Sequence, residues 1–391
     1  MANRESTVYL DNNATTRVAP EVIEAMMPFF GDRYGNPSSI YRFGGTVRRH
    51  IERAREQVAA LIGASPGEIV FTSCGSEGDN MALKGFFQER GERTRIVTTA
   101  VEHPAVRNTA RFLSGRGAKI TELSVDNNGM LSGGVFDSID ISRDTLTSIM
   151  WANNETGVVF PIRELAGAVK ARGGLFHTDA VQAAGKTVID VKKVPVDMLA
   201  FSGHKLHAPK GVGAAYFRAG TPVKAILHGG HQEGGVRAGT ENVPYIVGLG
   251  RACELAAQRI SEENTRVRTL RDRLEKALLE KCAGAKLNGH PTERLPNTTN
   301  VSFENIEGEA ILLHLDEAGI AASSGSACTT GSLEPSHVMT AMGIPYNYAH
   351  SSIRFSFSVY STDEDVDRVI AVMPDIVEKL RRLSPFVDQV F

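Results

Sequence analysis

This sequence of 391 residues has few cysteines, a single tryptophan and little net charge. The four cysteines form no C-x-x-C pair, which disfavours a disulfide framework in an intracellular chain of this size. The formal net charge is −2 and no long run of like charges occurs, so the composition gives no reason to expect nucleic acid. Small molecules are therefore the expected ligands.

Long apolar runs are also missing. No window approaches the roughly 18 continuous apolar residues of a membrane-spanning helix, and residues 1–8 lack the apolar stretch of a secretory signal. We therefore expect a cytoplasmic protein with no membrane association. The apolar fraction of 42% and charged fraction of 23% are ordinary for globular proteins, so a substantial core is expected.

Short apolar or β-branched runs alternate with helical segments along much of the chain. This alternation predicts an α/β fold with a mostly parallel sheet covered by helices. The runs are EIVFT, RIVTTAV, LTSIMWA, LFHTDA, DMLAFSG and GVGAAYF. From about residue 256, a charged amphipathic helix and shorter patterns predict a second, smaller α/β domain. We assign 15–255 to the large domain, and 1–14 with 256–391 to the small domain.

Polar residues follow the predicted strands. Ligands of parallel sheets bind outside the carboxyl ends of the strands, so these residues are candidates for a site. They are Glu102 and His103, then Asn153, Asn154 and Glu155, then Asp179 with Gln182 one turn later. An aspartate buried at a strand end is costly unless a cation faces it, and Lys205 follows the next predicted strand. One interpretation is a salt bridge between Asp179 and Lys205. The other is that both residues bind the same cofactor.

The segment TSCGSEGDN leads from the first of these strands into a helical pattern. Ser76 and Asp79 form the S-x-x-D pattern that is typical of a helix start. Free backbone N–H groups at Gly75 and Ser76 can bind a phosphate with help from the helix dipole. An ordinary helix cap explains the same pattern, so this segment alone does not specify a ligand.

Lys205 lies between two histidines in SGHKLHAPKG, directly after an apolar run. A desolvated lysine can bind a carbonyl compound covalently as a Schiff base. With a carboxylate facing a protonated ring nitrogen, this is what pyridoxal phosphate requires. The alternative is a lysine at a strand-to-loop junction whose amine reaches solvent.

Two H-x-x-H pairs, HKLH and HGGH, raise the alternative of a metal site. Neither has the H-E-x-x-H pattern, and the second has glycines where a ligand-bearing helix is expected. We therefore expect no metal.

Nearly the whole chain, from YLDNNATT to SSIRFS, resembles the NifS/IscS-like cysteine desulfurases, which are class V, fold-type I pyridoxal-phosphate enzymes. The motifs occur in the family's order and spacing: YLDNNATTRVAPEV, GNPSS, VEHPAV, NNETG, HTDAVQAAGK, SGHKLHAPKGVGA, GVRAGTENV and SSGSACTTGSLEPSHVMTAM. The segments SLEPSHVMTAMGIP and LRRLSPF are more similar to the NifS branch, which is associated with nitrogenase and nitrogen fixation.

The resemblance implies roles for the residues that would bind the coenzyme ring. Lys205 would form the Schiff base, Asp179 would pair with the pyridine nitrogen, and Gln182 would donate to the ring hydroxyl. His103 would stack on the ring and move protons. Asn154 would lie near the ring hydroxyl and the substrate. The phosphate would be bound by Gly75, Ser76, Ser202 and His204, joined by the partner subunit's Thr240 in a homodimer with its active site at the subunit interface.

The implied reaction converts L-cysteine to L-alanine, with the substrate carboxylate bound by Arg354. Cys328, in the small-residue segment SSGSACTTGS, would accept the sulfur as a persulfide and pass it to an acceptor or iron–sulfur scaffold protein. A selenocysteine lyase or class V aminotransferase would share the coenzyme residues, but a transaminase needs no such thiol. A non-catalytic sulfur or iron–sulfur scaffold would not need Lys205.

Two positions depart from the family pattern. Cys74 stands where relatives usually carry glycine, and Tyr41 stands where many carry histidine. Both departures bear on substrate and coenzyme details rather than on the class of reaction.

Overall fold

The computed structural model describes residues 7–324 and 335–384. In these ranges the strands β1 to β12 are Val8–Tyr9, Ile69–Thr72, Arg95–Thr99, Lys119–Leu123, Thr145–Ser148, Leu175–Asp179, Met198–Ser202, Gly213–Phe217, Ala285–Leu287, Thr298–Phe303, Ile320–Ala321 and Ile353–Ser356. In the same ranges the helices α1 to α11 are Pro20–Met26, Arg42–Ile62, Gly75–Arg90, Pro104–Ser114, Ile162–Ala171, Val243–Glu262, Arg268–Lys281, Gly308–Glu317, His337–Ala341, Tyr346–Ala349 and Asp363–Leu383.

The larger sheet has the order β2-β8-β7-β6-β5-β3-β4. Strand β8 is antiparallel to both of its neighbours, whereas the pairs from β7 to β4 are all parallel. The mostly parallel sheet and all six predicted strands are therefore confirmed. Sequence reasoning missed β4, which lies at the sheet edge and is largely exposed. Its sequence KITEL has no continuous apolar run to indicate a strand.

The strands β3, β5, β6 and β7 are buried almost throughout, as expected for a sheet with helices on both faces. Phe176 and Phe201 are fully buried in the core of this sheet. Parallel alignment brings the carboxyl ends of these strands to one edge. The polar residues that follow each strand therefore converge there.

The small sheet is antiparallel, in the order β12-β10-β9, and β1 pairs with β11 in a separate two-stranded parallel sheet. Its core includes Phe303 and Phe355, and Leu10 near the start of the chain belongs to the same cluster. A π-helical turn, Glu263–Val267, joins α6 to α7. Leu255 packs with the large sheet and Val267 with the small one. The boundary predicted between residues 255 and 256 falls inside α6, and the division into 15–255 and the flanking segments remains a prediction.

Membrane insertion has no candidate helix in the described part of the chain, because none there is both long enough and apolar enough to span a bilayer.

Helices α2 and α6 approach so closely at Gly250 that an added Cβ would lie 2.7 Å from Cα of Ala54. We expect Gly250→Ala to lower the free energy of unfolding by about 1–3 kcal/mol through overpacking. Gly167→Ala in α5 is the matched control, because its added Cβ has no neighbour within 4 Å. Its higher helix propensity should stabilise the protein by roughly 0.5–1 kcal/mol. Urea unfolding measures both, and equal effects would contradict the close packing.

Candidate active site

A cavity of about 310 Å³ opens at the carboxyl edge of the large sheet. Its lining includes every proposed coenzyme and substrate residue except two: Gly75, Ser76, His103, Asn154, Asp179, Gln182, Ser202, His204, Lys205 and Arg354. Thr240 is exposed and lies instead in a groove with Phe71 and Arg237. Cys328 lies outside the described residues. One chain thus brings together nearly all the side chains that were predicted to share a site.

Lys205 ends a short 3-10 turn, Gly203–Lys205, directly after β7. Its Nζ donates to the backbone carbonyl of Asn13 and, at 2.7 Å, to that of Ala14. Two carbonyl oxygens from the N-terminal segment therefore hold the amine at the cavity wall.

Asp179 is the last residue of β6 and is 5% exposed. Its Oδ1 accepts from the N–H of Val181 at 2.8 Å. Burial raises the pKa of Asp179, and the neighbouring His103 and Lys205 oppose that rise. A further cation in the cavity would favour the ionised carboxylate.

His103 caps the N-terminus of α4, where its Nδ1 accepts from the N–H of Ala105 at 3.1 Å. Burial and the charge of Lys205 lower the pKa of His103, although Asp179 acts in the opposite direction. The neutral ring therefore carries its proton on Nε2, because Nδ1 is an acceptor. That N–H can be donated to a group in the cavity.

Helix α3 begins at Gly75, and its N-cap residue is Cys74. An added Cβ at Gly75 would lie 2.4 Å from Cγ2 of Val181, so this close approach requires glycine. Ser202 Oγ is buried beside the same turn and makes no hydrogen bond within 7–324 and 335–384. The backbone N–H groups of the first helical turn and this hydroxyl together suit a phosphate.

The predicted helix cap by Ser76 and Asp79 is wrong. The N-cap is Cys74, so the helix starts two residues earlier than the S-x-x-D pattern requires, and Glu77 accepts from the N–H of Ser73 at 2.6 Å instead. The Asp79 carboxyl faces the cavity wall, fully buried, and its oxygens make no hydrogen bond among the described residues. Asp79 is buried in the lining of the cavity, so it does not take part in capping the start of the helix.

Arg354 lies on β12 and is 2% exposed. Its Nη1 donates to the backbone carbonyl of Asn154 at 2.9 Å, and its Nη2 donates to Oδ1 of Asp11 at 2.6 Å. These two contacts fix the plane of the guanidinium against the cavity. A carboxylate that binds there competes with Asp11 for the same cation.

The chain on either side of residues 325–334 contacts the walls of this site. Before the segment, the backbone of Ser323 is hydrogen-bonded to that of Arg354. After it, Ser336 donates to Oε2 of Glu155 at 2.5 Å, and the ring of His337 contacts the carbonyl of Glu102 at 3.0 Å. Both ends of the segment that contains Cys328 are therefore attached beside the cavity.

Sequence reasoning missed Asp11 and Asn13 as site residues. Asn13 donates to Oγ1 of Thr298 at 2.9 Å, while its carbonyl accepts from Nε2 of Gln182 at 3.0 Å. The motif YLDNNATT gave a signal, because three consecutive residues with amide or carboxylate side chains are unusual next to an apolar strand. Nothing local in the sequence indicates which distant strands they contact.

Buried carboxyl groups lie in the lining of the cavity or next to lining residues in the chain. Burial raises the pKa of Glu102 to about 8 and that of Glu155 to about 7. Burial also raises the pKa of Asp79, and the nearby Asp179 and Glu102 raise it further. The site therefore holds more potential negative charge than its own lysine and arginine can neutralise.

These features are those of a fold-type I pyridoxal-phosphate enzyme. The chain belongs to the aminotransferase class-V family, whose sequence pattern matches residues 8–369. Enzymes of this family depend on pyridoxal phosphate. The predicted family and fold class are thereby confirmed.

Relatives cover almost the full chain. It is 56% identical over 381 residues to the cysteine desulfurase of Trichormus azollae. The alignment covers 97% of this chain and 95% of that protein. It is 53% identical over 380 residues to the cysteine desulfurase NifS of Azotobacter vinelandii, with coverages of 97% and 94%. A solved structure of a NifS-like protein has a TM-score of 0.90 at 40% identity, covering 96% of this chain and 100% of that one.

Glu102 gives the coenzyme-free protein a distinctive pH dependence. Its Oε1 accepts from Thr99 Oγ1 at 2.8 Å and from the N–H of Met150 at 3.0 Å. Because its pKa rises from 4.5 to about 8 on folding, the folded state holds a proton that the unfolded state loses in this range. This contribution to stability is present below pH 4.5 and is lost as pH rises towards 8.

We expect Glu102→Gln to flatten the fall in stability between pH 5 and 8 by up to about 1.4 kcal/mol per pH unit. Urea unfolding of the coenzyme-free protein across this range measures the slope. Glu122→Gln is the control, because Glu122 is exposed on the edge strand β4. Identical slopes for the parent and Glu102→Gln would contradict the protonated state of this buried carboxyl.

Proposed function

We propose that this protein is a pyridoxal-phosphate-dependent cysteine desulfurase. It converts L-cysteine to L-alanine and holds the sulfur as a persulfide on Cys328. The proposal is carried by the convergence of Lys205, Asp179 and Arg354 on one cavity, in a chain more than half identical to proteins named cysteine desulfurases. Each of the three offers a group that an amino-acid substrate and its coenzyme need.

The groups around the cavity suit pyridoxal phosphate. A cationic ring nitrogen would offset the charge of Asp179, and the helix start at Gly75 with the unbonded Ser202 hydroxyl would bind the phosphate. When bound, this coenzyme supplies an aldehyde that holds amines covalently and a ring that accepts the electron pair left by Cα–H cleavage. Lys205 is the lysine in the lining that the described residues give this cavity, so we assign the covalent bond to its Nζ.

The protein's own residues then orient the substrate and move its protons. The guanidinium of Arg354 pairs with the substrate carboxylate, which fixes the amino acid relative to Lys205. Nζ of Lys205 takes the α-proton. The carbonyls of Asn13 and Ala14 hold Nζ in position through hydrogen bonds. Nε2 of His103 exchanges protons with the thiol groups.

Sulfur transfer is assigned to Cys328. Its thiolate attacks the sulfur of the bound substrate, so that an S–S bond forms while the substrate C–S bond breaks. Protonation of the remaining carbon skeleton gives L-alanine. The substrate sulfur stays bonded to the sulfur of Cys328 as a persulfide. The attachment of both flanking segments beside the cavity, at Arg354 and at Glu155, supports this assignment.

Three wider features belong to the same proposal. The protein is a homodimer in which the partner subunit's Thr240 completes the phosphate site, which agrees with the exposure of Thr240 outside its own cavity. The persulfide is passed to an acceptor or scaffold protein for iron–sulfur cluster assembly. Likeness to the NifS of Azotobacter vinelandii favours a nitrogenase-associated role.

The test of this function is to incubate the pure protein with pyridoxal phosphate, L-cysteine and a thiol reductant. We expect alanine and sulfide in equal amounts, formed over many turnovers. Cysteine consumed with a keto acid as cosubstrate and no sulfide would indicate an aminotransferase. Release of selenide from selenocysteine without sulfide from cysteine would indicate a selenocysteine lyase.

Cys328→Ser should abolish persulfide formation and sulfide release, because a hydroxyl is far less acidic than a thiol and does not supply the anionic nucleophile. The coenzyme absorbance should still change when L-cysteine is added, since Lys205 and Arg354 remain. Cys74→Ser is the matched control and should retain sulfide release, because Cys74 lies at the phosphate end of the cavity. An inactive Cys74→Ser with an active Cys328→Ser would reverse the assignment.

Arg354→Lys keeps the positive charge but loses the two-pronged geometry of the guanidinium. We expect KM for L-cysteine to rise roughly tenfold to a hundredfold, with a smaller change in kcat and none in coenzyme absorbance. Arg271→Lys is the control, because Arg271 in α7 is also buried but is absent from the lining of this cavity. Equal KM values for the parent and Arg354→Lys would remove Arg354 from the substrate site.

A further inference from the structure

Segment 227–242 lies between β8 and α6 in the chain and exposes Thr240 outside its own active-site cavity. Its backbone has positive φ angles at Glu233 (47°), Gly234 (64°) and Gly235 (80°). Glu233 is not a glycine, so its left-handed conformation requires compensating contacts. Two ion pairs to the body of the same subunit provide such contacts.

The first ion pair fixes the turn itself. Both terminal nitrogens of Arg55, on α2, donate to the carboxylate of Glu233 at 2.8 Å. The same carboxylate accepts from the N–H of Phe71 in β2 at 2.8 Å. The Glu233 side chain is only 4% exposed, so these bonds are protected from water. The middle of segment 227–242 is therefore attached to α2 and to the edge strand β2.

The second ion pair lies close to Thr240. Nε of Arg237 donates to Oε1 of Glu77 at 2.8 Å, and Nη2 donates to Oε2 at 3.4 Å. Oε2 of Glu77 also accepts from the N–H of Ser73 at 2.6 Å. Glu77 thus bonds on one side to the loop before α3 and on the other to the segment that carries Thr240.

Glu77 directly follows Gly75 and Ser76, which line the cavity at the proposed phosphate site. Burial alone would raise the pKa of Glu77, but the bonds from Arg237 and Ser73 bring it below its ordinary value. An anion at this position repels a bound phosphate unless its charge is neutralised. Arg237 supplies the neutralising charge, and the same contact holds segment 227–242 in place.

We propose that the Glu77–Arg237 pair couples the two active sites of the dimer. In one subunit the pair neutralises the edge of that subunit's phosphate site, and it also positions Thr240 for the site of the partner. This inference rests on the proposed coenzyme and homodimer. Arg237 and Glu77 are positioning residues in this account, since neither lines the cavity.

The charge relation is tested by titrating coenzyme-free protein with pyridoxal phosphate and following the absorbance of the bound coenzyme. We expect Arg237→Gln to weaken binding roughly tenfold, because the carboxylate of Glu77 then lacks its neutralising cation near the phosphate. The double variant Glu77→Gln with Arg237→Gln should bind more tightly than Arg237→Gln alone. Arg251→Gln is the control, because it breaks the surface pair with Glu254 and touches neither segment.

Coupling between subunits is tested with mixed dimers made from two differently tagged chains. One chain carries Lys205→Ala, so that borohydride fixes coenzyme only at the site of the other chain. Arg237→Gln is placed on either chain in turn, and the coenzyme fixed at the intact site is titrated. We expect weaker binding in both placements, and Thr240→Ala on the Lys205→Ala chain should weaken binding at the same site.

Three results would overturn the coupling: an effect from one placement only, a single variant no weaker than Arg251→Gln, or a protein that is monomeric. Failure of the proposed function is a separate result, because it would appear as absent alanine and sulfide in the activity assay. Coenzyme titration is unaffected by the identity of the substrate. The two outcomes are therefore distinguishable.

Discussion

A short stretch of chain near the N-terminus, residues 11–16, is hydrogen-bonded to the small sheet and to the turn after β7, and it forms part of the site between them. On the side of the small sheet, Asn12 donates to the carbonyl of Ser356 at 2.8 Å. On the side of the large sheet, the N–H of Thr16 donates to the carbonyl of His204 at 2.9 Å. The same stretch holds the amine of Lys205 and the guanidinium of Arg354. The two cations that the proposed chemistry needs are thus oriented by one segment with two anchors.

Electrostatics explain why this end of the cavity suits the protonated ring nitrogen of the cofactor. Asp179, Asp79 and Glu102 are all buried near the cavity, and burial raises the pKa of each. Buried carboxyl groups are retained where a ligand or a proton can balance them. A protonated ring next to Asp179 would remove part of this cost on binding. At the other end of the cavity, where the phosphate is expected, the proposed role of Arg237 is to neutralise the negative charge of Glu77.

The sheet and most of the site residues were predictable because their signals are local. Each central strand is marked by a short apolar or β-branched run, and parallel alignment gathers the residues that follow those runs at one edge. Edge strand β4 was missed because it is exposed and lacks such a run. Asp11 and Asn13 were missed because their partners, including Arg354 and Thr298, are distant in sequence. The start of α3 was misjudged because Asp79 is buried in the cavity lining, which the local S-x-x-D pattern does not show.

The central claim is that Lys205 is the residue that binds the coenzyme covalently at this cavity. The most direct test is to load the parent protein with pyridoxal phosphate, reduce it with borohydride, digest it and locate the added mass by peptide sequencing in a mass spectrometer. The account predicts one reduced coenzyme per chain, on the peptide that contains Lys205. Labelling of Lys186 or Lys210 instead, or no label on any lysine, would contradict it.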